Sequence, residues 1–294
     1  MSSPKAARTT SRGRTYTIDG RPLWSVTTII GAGLPKPAIA GWQAKTIAEY
    51  AVANWRQIGA MLTTVKMRAV PDAGYHIATD PDAVKAAVDW LKGSPWRESE
   101  RKMNLGSAVH AEAEAYVLGA PRPDPPLTVG RYIASFRNFL DDFAPVYEMT
   151  EATVYSIAES FAGTLDAIVD IGGRRLLIDY KTGKDIYPDV CLQLAAYANA
   201  EFILLDDGRS VPMLPVDGAA ALHLREYDPE VPGDRGYSLI PADISAPVFK
   251  AFLFVREVMR WQEDLSKNVL SQALGTPEAV AFLYPDTVSK EPAA

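Results

Sequence analysis

Cysteine occurs once, at Cys191, and histidine three times in 294 residues. A single cysteine excludes an intramolecular disulfide, and it excludes a four-cysteine zinc or iron–sulfur site built from this chain alone. The sequence has no apolar run of about 18 residues, the length that crosses a bilayer as a helix. It also has no signal-peptide pattern. No membrane association is therefore expected, and the protein is expected to be cytoplasmic, in the host cytoplasm if it is phage-encoded. Excess positive charge is lacking too: the formal net charge is -6, so any contact with a polyanion has to be local. There is no internal repeat and no Walker-type phosphate loop, because Gly183-Lys184 is followed by Asp185 rather than Ser or Thr. That excludes a built-in ATP-driven motor.

What is present fits an ordinary globular protein. With 48% hydrophobic and 22% charged residues, the chain can bury a full core as one large domain or one domain with a helical annex. Lys5, Arg8, Arg12 and Arg14 precede the first acid, Asp19, so residues 1–15 read as a flexible basic arm. A leader of no consequence is the bland alternative. The residues from 271 to 294 read as a weakly ordered tail.

Between these ends, residues 16–30 alternate as a short strand or hairpin around Asp19-Gly20, and Pro35 and Pro37 then break the chain. Trp42, Ile47, Tyr50, Ala51, Trp55, Ile58 and Leu62 recur at helical spacing, predicting amphipathic helix over residues 39–70. Further helices are predicted over residues 82–91, 98–118 and 133–143, the second stopping at Gly119 with prolines just beyond. Residues 146–179 carry alternating β-branched and aromatic runs. Helix is predicted again over 190–205 and 246–265, with strands over 219–225 and 237–240. The fold class is thus α/β: a mixed β-sheet core flanked by helices, with a mainly helical N-terminal half over residues 16–145 and the core over 146–270.

The strongest local signal is Gly172-Gly173, because both central positions of a type I′ hairpin turn need positive φ. Counting outward from that turn, Ile171 faces Arg174 and Asp170 faces Arg175, an opposite-charge pair. The count puts Leu165, Ala167, Val169 and Ile171 on one core face with Leu176, Ile178 and Tyr180. On the other face it puts Asp166 across from Asp179, with Lys181 two residues further on. Facing like charges destabilise a hairpin, so folding alone does not explain them. A divalent cation does, since carboxylate oxygens suit Mg²⁺ and Mn²⁺ and a nearby lysine can orient water or offset phosphate charge. A surface hairpin with both acids in solvent is the alternative. Ile178 and Tyr180 argue for a buried strand, where unpaired acids are costly.

Four short motifs follow in order: Gly106-Ser107-Ala108-Val109-His110, Gly163-Thr164-Leu165-Asp166, Asp179-Tyr180-Lys181-Thr182-Gly183-Lys184 and Gln193-Leu194-Ala195-Ala196-Tyr197. Each is weak alone. In this order, on helix, strand, strand and helix, they resemble the RecB-type PD-(D/E)XK nucleases, and the expected core takes the restriction-endonuclease-like form. The resemblance covers residues 100–200, and more loosely Ser25-Val26-Thr27 and Trp42, which are similar to phage and mitochondrial-maintenance exonucleases. It implies that His110, Asp166, Asp179 and the Tyr180 carbonyl hold Mg²⁺ or Mn²⁺, and that Lys181 positions the attacking water and offsets transition-state charge. Without the motif, His110 would be read as a polar helix residue. The iron–sulfur cysteines of the CRISPR-associated relatives are missing here, so no iron–sulfur cluster and no part in CRISPR adaptation are expected.

Gln193 and Tyr197, four residues apart, share one helix face and could reach a DNA phosphate or hold Lys181, although an ordinary amphipathic helix with Leu192, Ala195 and Ala196 inward explains the spacing as well. Glu114, one turn after His110, reads as exposed helix surface or support for the site. Glu151 sits where the family is often acidic. The expected activity is a metal-dependent DNA exonuclease acting on single strands or ends in recombination, repair or phage replication. A single-strand annealing or replication protein is the protein partner such a role implies. Trp24, Trp42 and Trp55 could clamp a strand by stacking on bases, or serve as core. A non-catalytic DNA-binding scaffold subunit and an endonuclease on the same fold are the other readings.

Overall fold

The structure, a computed structural model, describes residues 7–10, 13–63, 65–70, 74–120, 124–270 and 273. The tail expected from residue 271 lies outside the described residues but for Ala273. Of the basic arm, Lys5 and Arg12 lie outside them, while Arg8 and Arg14 fall in strands β1 (Ala7–Thr10) and β2 (Gly13–Ile18). A tight turn with Asp19 and Gly20 both at positive φ returns the chain as β3 (Arg21–Ser25). Ser25 ends that strand and caps α1 (Val26–Gly33), its side chain accepting from the Thr28 N–H.

Two helices follow, α2 (Ala38–Ala53) and α3 (Trp55–Leu62). The helix predicted to reach residue 70 stops at 62, and β4 (Val65–Val70) and β5 (Gly74–Thr79) form an antiparallel hairpin in its place. In the sequence, Thr63-Thr64-Val65 is a β-branched run, a residue type whose stiff χ1 disfavours helix. Asp80 caps α4 (Pro81–Lys92), with proline at the first helical position, and α5 (Ser94–Val117) and α6 (Leu127–Phe143) complete the helical half.

The second half runs β6 (Val146–Ser156), β7 (Phe161–Ile171), β8 (Arg174–Lys181), α7 (Asp189–Ala198), β9 (Phe202–Leu204), β10 (Ser210–Pro212), β11 (Gly218–Leu224), β12 (Tyr237–Ala242) and α8 (Ala246–Glu263). The helix predicted over 190–205 is cut at Ala198, and Phe202–Leu204 pair with β6 instead. Backbone pairing with a neighbouring strand overrides local spacing there.

Ten strands form one mixed sheet, with β7 at its centre. Along one edge β7 pairs antiparallel with β6; along the other it pairs first with β3, at Phe161 and Ala162, and then with β8, from Ala167 to Ile171. β11 extends the sheet parallel to β8, and β12 pairs antiparallel with β11. Helices α1, α7 and α8 cover one face around Ile29, Ile168, Leu177, Leu194 and Phe252. Helices α5 and α6 cover the other around Val109, Phe136, Ala167, Val169, Ile178 and Tyr180. The molecule is therefore α/β, with a mixed sheet sandwiched between helices.

The hairpin register is the one counted from the turn: Gly172 and Gly173 have φ of 61° and 80°, Ile171 faces Arg174, and Ala167 faces Ile178. Two details differ. Asp170 faces Arg175 and its charge acts on it, but the carboxylate accepts from the Gly173 N–H at 2.9 Å, while Arg175 binds Glu148 at 2.9 and 3.0 Å. Leu165 is the second correction. It packs with Ile168 and Leu177 on the face opposite Ala167 and Val169, so strict alternation fails within two residues. On β6, directly alongside, Met149 and Ala152 both pack against that same cluster, which again breaks the period of two. Glu151 between them has φ of 47°, the left-handed conformation that turns a side chain out of register.

Candidate functional site

Asp166 lies in the gap left where the edge of β7 passes from β3 to β8. The β7–β8 ladder ends at Ala167 and Ile178, and the next strand amide, Tyr180 N–H, donates to Asp166 Oδ2 at 2.6 Å. The carboxylate thus takes the place of a ladder carbonyl, and its other oxygen faces His110 Nδ1 at 3.4 Å. His110 reaches in from α5, and its Nε2 lies 3.0 Å from the Tyr180 carbonyl oxygen, so that nitrogen is the donor. Gly106, one turn earlier, makes this approach feasible: a Cβ there would sit 3.1 Å from Thr182 Oγ1. The spacing of glycine and histidine is that of one helical turn pressed on the end of β8.

The left-handed Glu151 completes the group. His110, Glu151 and Asp166 each offer one ligand atom, and these atoms lie within 4.8 Å of one another. All three residues are half-buried. Glu114, also half-buried on α5, is close enough for its charge to push the Glu151 carboxyl upward. Arg14 of β2 acts in the opposite direction on the same group.

Asp179 lies beneath this group at 2% exposure. Lys181 Nζ stands 2.6 Å from its Oδ2, and Gln193 Nε2 of α7 donates to its Oδ1 at 2.6 Å. The same Gln193 amide accepts from Lys181 Nζ at 3.2 Å through Oε1, so one planar amide holds both ends of the ion pair. An amide side chain can donate to a carboxylate through its nitrogen and accept from an ammonium through its oxygen at once. The Tyr197 hydroxyl lies 3.4 Å from Gln193 Nε2. Tyr197 is buried against Gly163, where a Cβ would come within 3.0 Å of the phenol oxygen. Gly163 of the Gly-Thr-Leu-Asp motif is there to make room for Tyr197.

The electrostatics of these groups are those of a crowded anionic site. Burial raises the Asp179 carboxyl to about 6, with the Asp166 charge adding to the rise and Lys181 opposing it. Burial and then the Asp166 charge raise Glu151 to about 7. Burial alone would lower His110, but Asp166, Asp179 and Glu151 together raise it to about 9. For Asp166, burial pulls upward, and the His110 and Lys181 charges with the Tyr180 N–H hold the group below the usual carboxylate range. Three carboxylates against one lysine leave two negative charges in excess at neutral histidine, which a divalent cation would offset.

The donor set fits such an ion. Carboxylate oxygens, a backbone carbonyl and one imidazole are the ligands Mg²⁺ and Mn²⁺ accept. Asp179 Oδ2 is buried against Lys181 Nζ at 2.6 Å, and the ligand atoms that converge are those of His110, Glu151 and Asp166. The sole cysteine, Cys191, sits half-buried on α7.

Every residue singled out from the sequence, namely His110, Asp166, Asp179, Tyr180, Lys181, Gln193 and Tyr197, is brought to this one place. Glu151 joins the ligand group directly. Two residues were not foreseen. Arg14 was assigned to the arm, and His223 carried no motif; alternation along β11 would have placed His223 on the face of Lys181, its register partner. Of the three tryptophans, Trp24 packs half-buried against the core, Trp42 is half-buried under Lys102, and Trp55 is 65% exposed.

No protein-family model matches the chain, and no curated protein matches it. Among solved structures, LHK-Exo in complex with dAMP is similar at 12% identity, over 55% of this chain and 93% of that chain, with a TM-score of 0.28. A likeness of that degree assigns neither family nor activity. Among the described residues no helix is long and apolar enough to cross a membrane.

Proposed function

We propose that this chain is a metal-dependent deoxyribonuclease that hydrolyses phosphodiester bonds as an exonuclease, on single-stranded DNA or at DNA ends. One observation carries the reading: His110, Glu151 and Asp166 converge within 4.8 Å at a break in the sheet, beside a lysine held by a buried acid and an amide. His110, Glu151, Asp166, Asp179 and the Tyr180 carbonyl would hold Mg²⁺ or Mn²⁺. When bound, the ion would supply Lewis-acid polarisation of the scissile phosphate and lower the pKa of a water.

The chain's own residues do the rest. Asp179 and Gln193 fix the Lys181 ammonium at the edge of the ligand group, with the side chain 35% exposed. There it orients the attacking water and offsets charge on the phosphoryl oxygens as the transition state forms. Oxygen of the water bonds to phosphorus, the bond from phosphorus to the leaving sugar oxygen breaks, and the proton lost by the water balances the one gained by the leaving group. Asp166 keeps the Tyr180 carbonyl in place by holding the N–H of the same residue.

The test is cleavage of a fluorescent single-stranded oligonucleotide with Mn²⁺, with and without EDTA. Metal-dependent shortening from one end, lost in Asp179→Ala and Lys181→Ala, is the expected result. DNA binding without cleavage would make the protein a scaffold subunit, and nicking of a closed circular duplex would make it an endonuclease. Cleavage by Lys181→Ala at the wild-type rate would refute the assigned chemistry.

A further inference from the structure

His223 takes no part in the ligand group, yet it is buried at 8% exposure as the last residue of β11 that pairs with β8. Its register partner across the parallel ladder is Lys181, so both lie at the carboxyl ends of neighbouring strands and on the same face. His223 Nε2 lies 2.7 Å from the carbonyl oxygen of Gly183. A carbonyl can only accept, so Nε2 carries the hydrogen and donates.

Gly183 belongs to the segment that leaves β8 after Lys181 and enters α7 at Asp189, four residues before Gln193. The path of that segment sets how far Gln193 stands from Lys181, now 3.2 Å. Contacts that hold it include Ile186 packed against the core cluster, Asp189 to Lys36 at 2.9 Å, and Gly183 to His223. The first is undirected apolar contact, and the second is an exposed ion pair of the kind that contributes little. The third is a hydrogen bond donated by a buried imidazole, the most directional of the three. Apolar burial alone would not require it, since leucine or phenylalanine would fill the same space without a donor that must be satisfied.

We infer that His223 is a positioning residue: by pinning the Gly183 carbonyl it fixes the segment between β8 and α7, and through it the Lys181–Gln193–Asp179 arrangement. The activity arm of the test rests on the nuclease reading; the spectroscopic arm does not. In the full-length chain, His223→Leu removes the donor, His223→Gln places an amide N–H near the former Nε2, and His223→Asn places one near Nδ1, out of reach of Gly183. The expected result for Leu and Asn is a fall in kcat of about 10- to 100-fold, the scale of a misplaced catalytic group. KM should stay within about a factor of two, the pattern of an interaction made only in the transition state. His223→Gln should recover most of the loss.

In parallel, the Lys181 ammonium ¹⁵N resonance should move in Leu and Asn, return in Gln, and leave that of the distant Lys85 unchanged in all three. An unmoved Lys181 resonance in a folded Leu or Asn variant overturns the inference, as does a Gln variant that behaves like Leu. Should the wild type fail to cleave DNA with Mn²⁺, the nuclease reading falls and the Lys181 resonance alone decides the role of His223. If His223→Leu does not fold, His223→Asn answers the same question with a polar side chain.

Discussion

The Asp166 carboxylate accepts the backbone N–H of Tyr180 at 2.6 Å, doing the work of a strand carbonyl where β7 and β8 part. The same side chain faces His110 at 3.4 Å and belongs to the candidate ligand group. Fold and chemistry therefore compete for one residue, and substitutions here separate the two.

Asp166→Ala should destabilise the protein even without metal, by about 1–3 kcal/mol for a buried N–H left without an acceptor. Glu151→Gln should not, because it removes a buried charge that is repelled by Asp166 and Glu114. Both should lose the rise in melting temperature that Mn²⁺ gives the wild type. Denaturant titration with and without Mn²⁺ distinguishes them, and equal metal-free destabilisation by the two variants would contradict this division.

Metal binding should strengthen as pH rises from 6 to 9. Glu151 and His110 hold protons to about 7 and about 9, and each must release its proton before it can bind a cation. The sign for metal-free stability is opposite. Both groups have folded pKa values above their ordinary 4.5 and 6.5, so their contribution is full below those values and is lost as pH rises through 7 and then 9. Melting temperature of the metal-free protein should thus fall across that window while the shift caused by Mn²⁺ grows. Calorimetry in two buffers of different ionisation enthalpy should show proton release on Mn²⁺ binding; an affinity flat with pH would sink the assignment of these ligands.

Gln193→Leu keeps the helix and deletes the amide that joins Asp179 to Lys181. We expect kcat to fall by about 10- to 100-fold with KM little changed, as for a misplaced catalytic group. Gln193→Glu should be worse, since it sets a carboxylate where the amide N–H of Gln193 now meets Asp179. Steady-state kinetics on the single-stranded oligonucleotide reads both, and a Gln193→Glu enzyme as active as wild type would show that the bridge is dispensable.

Gly163→Ala forces a methyl group into Tyr197, which is fully enclosed and cannot retreat. Overpacking of this kind costs about 1–3 kcal/mol. Gly130→Ala, at a helical glycine with open space, should cost nothing or stabilise slightly. Urea denaturation of the two variants provides the comparison, and equal stabilities would show that the approach of Tyr197 to β7 is looser than the distances imply.

Much of this site is written in the residues themselves. The pair Gly172-Gly173 fixes a two-residue turn because both positions need positive φ, and the period of two then fixes which residues of β7 and β8 meet, from Ile171 and Arg174 to Ala167 and Ile178. Four-residue spacing places Gly106 with His110, and Gln193 with Tyr197, on single helix faces. These are local rules, and they need only neighbours in sequence. Tertiary structure decided what those rules do not reach. Alternation predicts Leu165 beside Ala167, but the change of partner from β3 to β8 and the left-handed Glu151 on β6 break the period at Asp166. That break sets Glu151 with His110 and Asp166, and the parallel pairing of β8 with β11 sets His223 beside Lys181. Both depend on strands far apart in the chain meeting at one edge, which no local spacing encodes.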